Sequence, residues 1–218
     1  MARPKTNCQS RHLPSNVSTL EQLLDDLVSG DETRAEAAIP QLIEMDDAAI
    51  PALLDLTKSS DIDVRWWALR ALASTPHSRT ELLVPFLNDA APEVRQCAAL
   101  GLAVKADEEA TEPLVRALSD KDSMTSSLAV NALIKIGNAA VPSLIDAVKR
   151  RPATEGSVEG NGAQSQRIHA LRALAEIKDH RAIPIMMQVM QEDSALLQHW
   201  AQEGLERLGL DMVYIKPL

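Results

Sequence analysis

Apolar side chains recur at helical spacing along most of this chain. In the stretch VRWWALRALA, residues 64–73, small residues and leucine fall at i, i+3 and i+4, which places them on one face of a helix. Four variants of the stretch follow, and in all five copies a small residue stands directly before a leucine. The five leucines are Leu72, Leu102, Leu133, Leu174 and Leu205, and successive ones are 30, 31, 41 and 31 residues apart. A period near 30 residues with two helices per unit predicts an α-solenoid.

The boundaries of the predicted helices follow from capping and breaking residues. Ser18 with Glu21 is typical of a capping box at the first helix. Pro40 falls inside the second helix and is expected to kink or break it. The first helix of each later pair carries a proline near its start, where its missing N–H is not needed. These prolines are Pro51, Pro85, Pro113, Pro142 and Pro184.

The chain is therefore predicted to be all-α, with about six helix pairs in one solenoid over residues 17–209. Residues 1–16 are polar and without apolar period, so they are expected to form a flexible leader. Residues 151–165 hold three glycines, account for the one long step, and predict an inserted surface loop. This loop is either a tolerated insertion or a lid over a neighbouring groove. Residues 210–218 form a C-terminal tail, expected to fold back and cap the last repeat.

Composition limits the class of protein and its surroundings. The 218 residues carry a formal net charge of −9, which argues against a general nucleic-acid surface or an anionic membrane surface. We find no secretory signal and no apolar run long enough to span a bilayer, so no membrane insertion is expected. The two cysteines, Cys8 and Cys97, lie far apart, which fits a reducing cytoplasmic setting.

Several motifs resemble HEAT repeats of the phycobilisome-lyase (PBS lyase) type over residues 18 to 208. They are D-x-x-V-R at residues 61–65, P-E-V-R at 92–95, alanine-rich second helices and A-I/V-P-x-L first helices. The valine–arginine pair is replaced by Thr125 and Ser126 in the fourth repeat and changes again in the last two. The resemblance implies one of four roles for this chain: a subunit of a bilin lyase acting on phycobiliproteins, a factor of phycobilisome degradation, a partner of iron–sulfur assembly proteins, or a scaffold. No catalytic motif is recognised.

Positions of the second helices that do not face the core are predicted to line a concave binding surface. The candidate partner-binding residues are Arg65, Trp66, Arg70, Arg95, Asn131, Arg167, Arg172 and His199. Their arginines predict a positive stripe on an acidic protein, able to hold the carboxylates of an acidic partner segment or the propionates of a tetrapyrrole. Alternatively, Arg65, Arg95 and Arg167 bond to loop carbonyls or aspartates of adjacent repeats, which leaves Arg70 and Arg172 as the better candidates.

Other side chains bear on the chemistry of the chain. Trp66 is either an interface hot spot or a ring lying flat over alanine-rich neighbours. Cys97 is expected to pack as a small core residue, whereas Cys8 could be reactive, metal-binding or neither. The five histidines show no ligand spacing, and no C-x-x-C or H-E-x-x-H motif is present, so no metal site is predicted. No nucleophile elbow or glycine-rich phosphate loop is present, so no catalytic residue is predicted.

These observations support a non-catalytic adaptor that binds a protein partner in its concave groove, with no cofactor. The resemblance adds the expectation that this partner is a phycobiliprotein. The first alternative is a bilin lyase subunit whose groove holds a tetrapyrrole and a phycobiliprotein. The second is a partner of iron–sulfur assembly proteins, to which Cys8 would contribute a thiolate.

Overall fold

The structure, a computed structural model, describes residues 19–151 and 158–210. Within these ranges the chain forms twelve α-helices, several preceded by a short 3-10 turn, and no strand. The helices are α1 (Leu20–Leu27), α2 (Glu32–Met45), α3 (Ile50–Leu56), α4 (Ile62–Ser74), α5 (Thr80–Leu83), α6 (Pro92–Lys105), α7 (Thr111–Ala117), α8 (Ser123–Ile136), α9 (Val141–Lys149), α10 (Val158–Ile177), α11 (Ile183–Val189) and α12 (Ala195–Arg207). The predicted all-α solenoid of six helix pairs is confirmed.

The helices form two layers. Each second helix packs on the second helix of the next pair, in the order α4, α6, α8, α10 and α12, and the first helices α7, α9 and α11 follow one another in the opposite layer. The five leucines that define the repeat are fully buried, and so are the alanines four residues before them. The core therefore lies between the layers. The outward side of the α4 to α12 layer is called the second-helix face below.

Helix starts differ from the sequence prediction at one point. The capping box of α1 is made one residue later than predicted: the Thr19 hydroxyl accepts from the Gln22 N–H at 3.3 Å, and the Gln22 side chain accepts from the Thr19 N–H at 3.0 Å. The expected break at Pro40 is wrong, because α2 continues through it to Met45. Pro40 is exposed, so the backbone carbonyl that loses its partner can face water.

The predicted loop at residues 151–165 is wrong in its second half. Helix α10 begins at Val158, so residues 158–165 are helical. Tertiary contacts outweigh the cost of the glycines here: the Gln164 amide donates to the Ser194 hydroxyl at 3.2 Å, and the Gln166 amide donates to the Val115 carbonyl at 2.8 Å. Residues 152–157, the leader at 1–16 and tail residues 211–218 lie outside the described ranges.

One helical segment corrects the expectation about apolar runs. The stretch Ser123–Lys149 is long enough to cross a membrane and has a mean hydropathy of 1.5. The stretch is divided at Gly137, whose φ of 73° lies in the left-handed region, so that α8 and α9 are separate helices. Val130, Leu133 and Leu144 are fully buried within the solenoid, whereas Met124 of α8 is 54% exposed. Core packing accounts for the apolar residues at the buried positions of this segment.

Candidate functional site

A groove of about 480 Å³ opens on the second-helix face between α4 and α6. On its α4 side lie Trp66 and Arg70, and on its α6 side lie Leu100 and Val104. Leu100 is 52% exposed and Val104 is 81% exposed, although both are apolar. They stand four residues apart, so they form one continuous apolar wall along α6. We call this feature the α4/α6 groove.

Small residues in the floor bring the two helices close together. A Cβ added at Gly101 would lie 2.7 Å from the Cβ of Ala73 and 3.2 Å from Cδ1 of Leu83. Ala73, Cys97 and Gly101 therefore make a shallow floor, from which the larger side chains rise on both sides. The small-then-leucine pair that marks the repeat in sequence thus sets the spacing of the helices that border the groove.

Arg70 and Trp66 form the α4 rim, and Trp67 packs against both. The Trp66 and Trp67 rings meet edge to face, with centroids 4.8 Å apart and planes at 85°. The Arg70 guanidinium carbon lies 5.3 Å from each ring centroid, within cation–π distance. The same guanidinium donates to the Glu36 carboxylate of α2, at 2.6 Å from Nη1 and 2.9 Å from Nη2. Trp66 and Arg70 both line the groove, but the charge of Arg70 is matched by Glu36.

Arg65 and Arg95 do not form the predicted binding surface. The Arg65 guanidinium donates to the Asp89 carboxylate at 2.9 and 3.0 Å, and to the carbonyl of Ser59 at 3.0 Å. Its hydrogen bond to Asp89 raises the pKa of this guanidinium above its ordinary value. Arg95 repeats the arrangement one pair later, with two 2.8 Å bonds to Asp120, and is nearly fully buried. The prediction that these arginines are free to bind a partner is wrong.

Arg167 in α10 is likewise a buried structural residue. It donates to the Val148 carbonyl at 2.7 Å and to both oxygens of the Glu192 carboxylate at 2.8 Å. In the fourth pair Ser126 replaces the arginine, and its hydroxyl donates only to the Ser123 carbonyl. The alternative is thus confirmed for Arg65 and Arg95, whereas Arg167 plays the same structural role through a glutamate and the carbonyl of Val148 in α9. Their side chains tie each helix pair to the next.

The remaining candidates lie on later second helices. Arg172 of α10 places its guanidinium carbon 5.9 Å from the Trp200 ring centroid, and His199 lies 5.3 Å from the same ring. Asn131 is exposed on α8, between this cluster and the α4/α6 groove. Trp66 with Arg70, and Arg172 with His199, therefore form two separate arginine–aromatic clusters on the second-helix face. Their role in binding stays a prediction.

Two features of the structure were not predicted. Val104 lines the groove, and its spacing of four residues from Leu100 places it on the same helical face. Outside the groove, ligand atoms of Asp46, Asp47 and His77 lie within 4.8 Å of one another. The hydrogen bond to Asp46 raises the pKa of His77 above its ordinary value. No local spacing could indicate this cluster, because His77 follows Asp46 by 31 residues.

Cys97 is a poor nucleophile in this fold. Only 7% of it is exposed, and burial raises the pKa of its thiol to about 12. A thiolate is the reactive form, so a raised pKa leaves the group neutral at physiological pH. Among the described residues this is the only cysteine, and it does not favour the iron–sulfur alternative, which rests on Cys8 outside those ranges.

We expect Cys97 in a Cys8→Ser variant to resist alkylation by iodoacetamide at pH 8. With a thiol pKa of about 12, about one thiol in 10⁴ is ionised at that pH, and this fraction rises about tenfold with each pH unit. The rate should therefore be at least 100-fold below that of the same variant in urea, where the thiol titrates normally. Equal rates in the two conditions would show that the thiol is accessible and ionised.

Comparison with known families places HEAT repeats on the pairs that the periodicity predicted. Residues 80–156 match the family model of HEAT repeats, and residues 166–192 match that of the PBS lyase HEAT-like repeat. These ranges cover α5 to α9 and most of α10 and α11. Among curated proteins, none matches the chain.

Solved structures of repeat proteins are similar to this chain. An archaeal HEAT-like repeats protein from Thermococcus onnurineus NA1 is 15% identical over 88% of this chain and 80% of its own, with a TM-score of 0.49. The complex of CpcE and CpcF of phycocyanin lyase from Nostoc sp. PCC7120 is 18% identical over 94% of this chain and 82% of its own, with a TM-score of 0.48. A designed armadillo repeat protein in complex with the peptide (KR)4 is 21% identical over 88% of this chain and 100% of its own, with a TM-score of 0.43.

Proposed function

We propose that this chain, of which residues 80–156 match HEAT repeats and residues 166–192 match the PBS lyase HEAT-like repeat, is a non-catalytic cytoplasmic adaptor. It binds a partner protein on its second-helix face and holds one side chain of that partner in the α4/α6 groove. The observation that carries the proposal is the groove itself, about 480 Å³ in volume and open between Trp66 and the exposed wall of Leu100 and Val104.

The residue types of the groove are those of an interface anchor. Burying apolar surface stabilises a complex by about 25 cal/mol for each Å² removed from water, and a valine that is 81% exposed offers most of its surface. Tryptophan and arginine, which dominate interface hot spots, stand on the opposite rim as Trp66 and Arg70. A partner side chain between the rims would contact apolar atoms on both sides.

We expect the double variant Leu100→Glu with Val104→Glu to lose the partner while the fold is retained. The two carboxylates would stand where an apolar side chain of the partner packs, and desolvating them against that side chain is unfavourable. Both positions are exposed, so each change should shift the free energy of unfolding by no more than about 0.5 kcal/mol. The measurement is capture of partners by the tagged protein from its native extract with mass spectrometry, beside urea unfolding of each variant.

Met187→Glu is the matched control. Met187 is 49% exposed but lies on α11, in the opposite layer. The substitution Met187→Glu adds one carboxylate at an exposed apolar position away from the groove. Proteins that disappear with the groove variant and remain with Met187→Glu are groove-dependent partners. An unchanged set of captured proteins with the groove variant would contradict the proposal.

A bilin lyase subunit is the second candidate function, and the match of residues 166–192 to the PBS lyase HEAT-like repeat favours it. Arg172 lies in that repeat, and its guanidinium stacks near Trp200. Titration with phycocyanobilin should then change the visible absorption of the pigment, and Arg172→Glu should reduce the change. If the spectrum stays that of free pigment, with and without a phycobiliprotein, this candidate is removed and the adaptor proposal stands.

A further inference from the structure

The α4/α6 groove carries no uncompensated positive charge, contrary to the stripe expected from the sequence. Arg70 is paired with Glu36, Arg65 with Asp89, and Arg95 with Asp120. The last two pairs are almost buried, so their arginines do not reach the groove surface. An acidic ligand would therefore have to displace Glu36 from Arg70 to find a cation here.

A second cavity, of about 450 Å³, lies at the N-terminal ends of α4 and α6. Its lining residues, three of them acidic, are Ser60, Asp61, Ile62, Asp63 and Glu93. On α4, Asp63 precedes Trp66 by three residues, and on α6, Glu93 precedes Cys97 by four, so both carboxylates share a face with the groove. Neither Asp63 nor Glu93 has an ion-pair partner among residues 19–151 and 158–210.

The distance between the apolar wall and the carboxylates sets the spacing of a ligand. Glu93 and Leu100 are seven residues apart on α6, which corresponds to about 10 Å along the helix axis. An extended peptide covers this distance in about three residues. Ile62, 45% exposed beside Asp63, offers apolar surface for the stem of a long cationic side chain.

We propose that the groove binds a partner segment carrying an apolar side chain and, about three residues away, a lysine or arginine. The apolar side chain lies between Trp66 and Leu100, and the cation lies over Asp63 and Glu93. This rests on the proposed function and adds the chemistry of the partner. Charge complementarity favours a cationic segment as the partner. Opposite charges across an interface speed association, and like charges disfavour the wrong partners. An acidic segment would bring its carboxylates against two that are already unpaired.

The test is a display library of random twelve-residue peptides, selected on the full-length protein. Peptides that also bind the Leu100→Glu, Val104→Glu double variant are removed, which leaves the groove-dependent pool. We expect lysine and arginine in that pool at more than twice their frequency in the library, about three positions from a large apolar residue. Individual binders should weaken at least tenfold between 50 and 500 mM salt, because salt screens exposed charges.

Charge reversal separates recognition from nonspecific attraction. Asp63→Lys with Glu93→Lys should replace the cationic pool by one rich in aspartate and glutamate. The control, Glu108→Lys with Glu112→Lys, makes the same change in net charge at exposed positions around the start of α7, and it should leave the cationic pool unchanged. Circular dichroism should show equal helicity for all variants.

Several results would overturn this inference. They are a groove-dependent pool that is acidic or uncharged, a pool that Asp63→Lys with Glu93→Lys does not alter, or no groove-dependent pool at all. Self-association of the wild-type chain that the Leu100→Glu, Val104→Glu variant abolishes would instead make a second copy the occupant. In each case the extract capture still decides the proposed function independently, because it does not depend on the charge of the partner.

Discussion

Replacing Arg95 by alanine is expected to lower the free energy of unfolding by about 3 kcal/mol. The Arg95 side chain is 5% exposed and makes two 2.8 Å bonds to the Asp120 carboxylate. Its third nitrogen donates to the carbonyls of Asp89 and Ala90 at 2.9 and 3.2 Å. Removal would leave a largely buried carboxylate and two loop carbonyls without their cationic donor. Urea unfolding followed by circular dichroism measures the change.

Arg79→Ala is the control for this experiment. Arg79 is 75% exposed and its nearest carboxylate, that of Glu81, lies 3.4 Å away, so the loss should stay below about 1 kcal/mol. Arg95→Lys keeps the charge but cannot make the bidentate bond, and it should fall between the two. If Arg95→Ala costs no more than Arg79→Ala, the bonds between adjacent helix pairs contribute nothing net to stability.

Gly101→Ala is expected to lower the free energy of unfolding by about 2 kcal/mol, although alanine favours helices over glycine by about 1 kcal/mol. The new Cβ would stand 2.7 Å from the Cβ of Ala73, and both atoms are attached directly to packed backbones. Helices α4 and α6 would have to separate, which would also open the groove above them. Thermal and urea unfolding of the single variant measure the effect.

A methyl exchange between the two helices supplies the control. The double variant Gly101→Ala with Ala73→Gly moves one methyl group from α4 to α6 and should recover most of the loss, because the clashing atom is gone. Gly204→Ala offers a second comparison. There the nearest atoms belong to the flexible end of Met186, at 2.5 and 2.8 Å, so this change should be close to neutral. Equal losses for Gly101→Ala and Gly204→Ala would contradict the close approach of α4 and α6.

The arginines show how far sequence reasoning reaches at the site. The pattern identified Arg65, Arg95 and Arg167 as a related set and offered two roles for them. Local sequence could not choose between these roles, because the carboxylates that bind Arg65 and Arg95 follow 24 and 25 residues later, in the next helix pair. The same holds for Arg70, whose partner Glu36 lies 34 residues earlier on α2. Only packing of the pairs brings these charges together.

Two residues that line the groove, Trp66 and Arg70, were among the predicted binding residues, because they lie on the face of the helix opposite the buried leucines. No role was predicted for the carboxylates of Asp63 and Glu93, although they continue the same face toward the helix starts. Whether two such positions on neighbouring helices enclose a cavity depends on the distance between the helices, which Gly101 and Ala73 set.

By itself, the sequence determined the repeat. A leucine recurring near every 30 residues with a small residue before it can be buried only if successive helix pairs stack, so fold class, the number of pairs and most core positions followed from periodicity. The tertiary structure decided which charges are paired, which second helices approach closely enough to form a groove, and where α10 begins. For the charges of Arg65, Arg70 and Arg95, for the approach of α4 to α6 and for the start of α10, these outcomes depend on contacts between residues more than 20 positions apart. A pattern with a local period carries no information about such contacts.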